Sequence, residues 1–63
     1  MAKTPVVVKL VGEDGNAFSI LGKVQKALMK AGYRQEADDY MNEAKQGDYD
    51  HLLRTTMEYV EVE

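Results

Sequence analysis

The sequence predicts an α+β fold: an N-terminal β-strand, three short helices, and a short C-terminal strand available to pair with the first. Three observations lead there. A β-branched run, Val6-Val7-Val8 followed by Lys9-Leu10-Val11, gives the strand signal at the N-terminal end. From Ala17 onward apolar residues recur every three to four positions, in blocks separated by Gly32 and Gly47. At the end, Val60 and Val62 alternate with Glu61 and Glu63, a spacing of two.

Each element has its own reasons. Pro5 suits the first position of a strand. Gly12-Glu13-Asp14-Gly15-Asn16 then breaks the run. Asp14-Gly15 is compatible with a hairpin turn and a return strand over Ala17 to Leu21. The helix reading is preferred, because Asn16 is a good N-cap and Phe18, Leu21, Val24 or Gln25, Leu28 and Ala31 come after it at helical spacing, with Ile20 and Ala27 widening the stripe. The first helix is predicted over 17–31, with Gly32 as its stop. Gly22 falls inside it, and a close approach of another backbone is the expected reason.

Tyr33 and Arg34 make a short connection. The second helix is predicted over 35–46, with Ala37, Tyr40, Met41 and Ala44 on one face and Gly47 as its stop. Asp48 caps the third, in which Tyr49, Leu52, Leu53, Thr56, Met57 and Val60 form the cleanest amphipathic pattern of the chain. The tail from Tyr59 to Glu63 either frays from that helix or forms the second strand. A lone first strand needs partners for its main chain. Pairing with this tail is favoured over pairing with a second copy, which would make a homodimer. The expected core is Val6, Val8, Leu10, Phe18, Leu21, Val24, Leu28, Tyr40, Met41, Leu52, Leu53, Met57 and Val60.

Sixty-three residues make one domain, 1–63, whose size leaves stability marginal. The absence of cysteine excludes disulfides and thiolate metal sites. No apolar run is long enough to span a membrane. The opening Met1 to Pro5 is not read as a signal peptide, because Lys9 and then Glu13-Asp14 interrupt the apolar run after it, and a cytoplasmic location is expected.

Charge is segregated along the chain. Residues 1–34 carry six cations against two acids, a net +4, and residues 35–63 carry two cations against nine acids, a net −7. Two different surfaces are a property that concerns partners. Lys23, Lys26, Lys30 and Arg34 fall along one side of the first helix and just beyond it, and they are the candidate partner-binding residues. A stripe of this kind can track phosphates, and it is more often simply a solvated helix face. The whole-chain charge of −3 and the single nearby ring, Tyr33, weigh against nucleic acid.

Other constellations have structural explanations. Gly12 to Asn16 occupies a position where phosphate loops occur, but Glu13 and Asp14 would repel an anion. Asp48, Asp50 and His51 could suggest a metal or acid–base site, yet acids at a helix start are expected caps, and one histidine supplies few ligands. Ser19 has no base nearby in sequence. A helix–turn–helix across Gly47 would present Asp48, Asp50 and Glu58 to DNA. No catalytic residue, cofactor or metal ligand is assigned, and a non-enzymatic role is expected.

Two stretches, Val11 to Gly22 (VGEDGNAFSILG) and Glu43 to Thr55 (EAKQGDYDHLLRT), resemble a pattern of short bacterial and phage-borne proteins. With the spacing between them, the resemblance covers nearly the whole chain. It implies a bacterial cytosolic or mobile-element origin and brings no activity, since that family has no established function. The chain is accordingly expected to be a small adaptor or regulator with a protein partner, and nucleic-acid binding through the lysine stripe is the alternative.

Overall fold

A computed structural model describes residues 2–10 and 16–63. The elements run β1 (Val7–Val8), α1 (Ala17–Lys30), α2 (Arg34–Ala44), α3 (Tyr49–Tyr59) and β2 (Glu61–Val62). The chain therefore has the expected mixed α+β architecture. The turn considered for residues 12–15, as a hairpin or as a phosphate loop, lies outside the described residues.

β1 and β2 pair in parallel, with Val7 opposite Glu61 and Val8 opposite Val62. A parallel pair needs a long crossover, and the three helices supply it. The Glu61 amide donates to the Val6 carbonyl at 2.8 Å and the Glu63 amide to the Val8 carbonyl at 3.0 Å. The Leu10 amide donates to the Glu63 carbonyl at 3.2 Å. The pairing is thus within the chain, as favoured from the alternating tail. Upstream of β1, the Lys3 amide donates to the Glu58 carbonyl at 2.7 Å, and the Thr4 hydroxyl donates to the Tyr59 carbonyl at 2.7 Å. These are carbonyls that α3 cannot satisfy internally, so the N-terminal segment closes that helix end. The Lys3 ammonium also sits 4.5 Å from the Tyr59 ring centroid.

Asn16 caps α1 through Oδ1, which accepts from the Phe18 amide at 2.8 Å. Its other end is a Schellman turn. The Gly32 amide donates to the Met29 carbonyl at 3.1 Å, and the Tyr33 amide to the Leu28 carbonyl at 2.8 Å. Gly32 has φ +93°, where a Cβ is costly. α2 starts one residue earlier than expected, at Arg34, and ends at Ala44 rather than Gln46. Gly47 has no positive φ and is not a left-handed stop. It is small for another reason: a Cβ there would stand 2.7 Å from both Cβ and Cγ of His51. Gly22 is corrected as well. No atom lies within 4 Å of where its Cβ would be, so no backbone passes close. Gly22→Ala is therefore expected to stabilise the chain by about 0.5–1 kcal/mol, seen as a higher urea midpoint; a lowered midpoint would contradict the open site.

The core joins Val8, Ile20, Leu21, Val24, Leu28, Ala37, Tyr40, Ala44, Leu52, Tyr59 and Val60. Val6, Leu10, Met41 and Leu53 pack against its edge, half-buried. Two expected core residues are outside it: Phe18 is 82% exposed and Met57 58%. On α1 the buried line runs through Ile20, Leu21, Val24 and Leu28, which leaves Phe18 to one side. On α3 it runs through Leu52, Thr55, Thr56 and Tyr59, about one residue round from the hydropathy pattern, so Tyr49 and Met57 face water.

The two threonines explain that rotation. The Thr55 hydroxyl donates to the His51 carbonyl at 2.8 Å and the Thr56 hydroxyl to the Leu52 carbonyl at 2.9 Å, each one turn back. Buried hydroxyls cost little once bonded. Thr56 Oγ1 also lies 2.7 Å from Tyr40 Oη. Since the Thr56 proton is used on Leu52, Tyr40 is the donor. The Tyr40 and Tyr59 rings meet edge to face, with centroids 5.6 Å apart.

A candidate basic groove

The site is built at the turn from α1 to α2. Lys26 and Lys30 stand one turn apart on α1, with Met29 beside them. The Schellman turn at Gly32 reverses the chain within three residues and delivers Arg34 as the first residue of α2. Together with Gln25, these side chains line an open groove of about 540 Å³. Lys26, Lys30 and Arg34 are exposed, and Met29 is 48% exposed. None of the three cations has an ion-pair partner among the described residues. Lys30 also lies in the last turn of α1, where its charge meets the negative end of the helix dipole favourably.

Three of the four residues expected to form a binding stripe are thus brought together. Lys23 is not: it does not line the groove and has an interaction of its own. Sequence reasoning passed over Met29 and placed Gln25 beside Val24 on the core stripe. The signal for Met29 was its position between Lys26 and Lys30, off the buried line of α1, while Gln25 is half-buried just before Lys26. Chemically, the groove can hold an anionic surface with an apolar contact supplied by Met29. Among the described residues, no aromatic ring lines it.

The Asp48, Asp50 and His51 constellation resolves into local structure. Asp48 Oδ1 accepts from the His51 amide at 2.9 Å as the cap of α3. Asp50 pairs with Arg54 at 3.1 Å on the surface, an exposed i,i+4 contact worth little. His51 turns the other way, toward α2. Its Nε2 lies 3.0 Å from the Glu43 carbonyl and 3.1 Å from Glu43 Oε2. A carbonyl and a carboxylate can only accept, so this nitrogen carries a proton. The imidazole closes the end of α2 and explains why Gly47 needs no side chain. Among the described residues, no three His, Asp or Glu side chains converge as metal ligands.

A second hollow of about 260 Å³ lies at the other end of α1, lined chiefly by Phe18, Leu21, Ala44, Tyr49 and Leu52. Its lining is mainly apolar, with Lys45 and Asp48 also on it, and Asp48 is already engaged as the cap of α3. Among the described residues, no helix is long and apolar enough to cross a membrane. In comparisons with protein-family models, curated proteins and solved structures, the chain matches none.

Proposed function

We propose that the chain is a non-enzymatic protein-interaction module, an adaptor or regulator of phage or mobile-element type, that holds an acidic partner in the Lys26–Lys30–Arg34 groove. The observation that carries this reading is that three cations with no ion pair among the described residues line one groove with an exposed methionine. Interfaces of this kind combine an apolar anchor with charged groups that steer the encounter. Nucleic acid is the second reading, since the same cations can follow phosphates. It is the weaker one, because no ring is available for base stacking and Glu36, Asp38 and Asp39 come soon after Arg34.

The test is capture from lysate with the tagged chain, with and without nuclease, alongside the triple variant Lys26→Glu, Lys30→Glu, Arg34→Glu. The triple variant should keep its helical circular dichroism and lose partner capture by roughly tenfold or more. Equal capture by the variant removes the groove from the function. Capture that disappears with nuclease, with steep salt dependence, replaces the protein partner with nucleic acid.

A further inference from the structure

β1 faces β2 through the Val6 and Val8 carbonyls and the Leu10 amide. Main-chain direction alternates along a strand. The amides and carbonyls of Val7 and Lys9, and the carbonyl of Pro5, therefore point to the opposite edge. Among the described residues, the sheet has two strands and nothing pairs there. Pro5, Val7 and Lys9 are all exposed, and Val7 is 54% exposed. A two-stranded sheet is weak on its own, and an open edge is a template for another strand.

The geometry points to a two-fold dimer in which β1 pairs antiparallel with β1 of a second copy, with Val7 on the axis. The occupant is identified by complementarity of charge and hydrogen bonds. With Val7 on the axis, the two copies exchange both main-chain bonds of Val7. Each Lys9 amide then donates to the Pro5 carbonyl of the other copy. Pro5 lacks an amide proton, and here it is asked only to accept. The two Val7 side chains cover one another, and Lys9 lies opposite an uncharged residue. A slip that puts Lys9 on the axis brings two lysines together. The outer edge of β2 is unsuited to self-pairing, because Glu61 and Glu63 flank Val62 and would meet their own kind. The result is a four-stranded sheet, β2-β1-β1-β2, with an isologous interface. It does not rest on the basic groove.

Sedimentation equilibrium over a range of concentrations tests it. The wild-type chain should show a reversible monomer–dimer equilibrium. Val7→Lys and Val7→Glu should each be monomeric, because like charges then meet on the axis, while an equimolar mixture of the two recovers the dimer. Val7→Pro is the second variant: it removes one outward amide, leaves the bonds to β2 in place, and should also be monomeric. Helical circular dichroism equal to wild type establishes that each variant is folded. A wild-type chain that stays monomeric throughout overturns the proposal. So does a dimer that survives in Val7→Lys, or a mixture that stays monomeric.

Discussion

Replacing Tyr40 by alanine should cost about 3–5 kcal/mol, the range for emptying a large aromatic site in a core. Tyr40 is fully buried, packs edge to face on Tyr59, and hydrogen-bonds Thr56, so it ties α2 to the end of α3. Domains of this size have only a few kcal/mol in hand. Tyr40→Ala should therefore be largely unfolded at room temperature by circular dichroism. Tyr40→Phe keeps the ring and loses one hydrogen bond, for about 1 kcal/mol. A Tyr40→Ala chain that melts close to wild type would remove this residue from the centre of the fold.

The same residue sets an alkaline limit. Burial raises the Tyr40 hydroxyl above the ordinary tyrosine value of 10.0, while the Thr56 hydroxyl, able to turn and donate to a phenolate, pulls the other way. In the unfolded chain the proton leaves at the ordinary value; in the folded chain it is retained to higher pH. The stabilisation is complete below pH 10.0 and falls as pH rises through the folded-state value. Urea midpoints tracked upward from neutrality should begin to drop near there, and the drop should be smaller in Tyr40→Phe.

Removing residues 61–63 should cost roughly 2–4 kcal/mol. At least three main-chain bonds between the first strand segment and the tail disappear, each worth about 0.5–1.5 kcal/mol net. Tyr59 and Val60 stay, so the end of α3 and its contacts with Lys3 and Thr4 remain. Urea unfolding monitored by circular dichroism measures this, and an unchanged midpoint would mean that β2 contributes nothing. Removing Glu63 alone takes away two of those bonds and should fall between the two.

The helices were legible because their signals are local. Asn16 and Asp48 cap through their own side chains, and Gly32 takes the left-handed turn that few other residues accept. The tail strand was legible from its alternation. What escaped the sequence depends on three dimensions. Thr55 lay off the predicted stripe and Thr56 lay on it but outside the expected core, yet both are buried, each hydroxyl bonded one turn back. Phe18 is the largest apolar side chain of α1, but Ile20 and Leu28 share the line that meets the other helices. Gly47 looked like a stop, and its actual neighbour, His51, is turned by Glu43 on another helix. Of the basic site, the spacing of Lys26, Lys30 and Arg34 was readable. The exclusion of Lys23 and the inclusion of Met29 depend on how α1 and α2 meet.

The parallel register has a kinetic consequence. The hydrogen bond from Thr4 to Tyr59 spans 55 positions of sequence. Bringing such distant segments together from a random chain carries a length-dependent entropy cost of roughly 3–4 kcal/mol. Contacts within and between successive helices span far less and form sooner. The helical layer is thus the scaffold on which the ladder closes late, and it shortens the distance the two ends must search. Detachment of those ends, with the helices still in place, is the natural first step of unfolding.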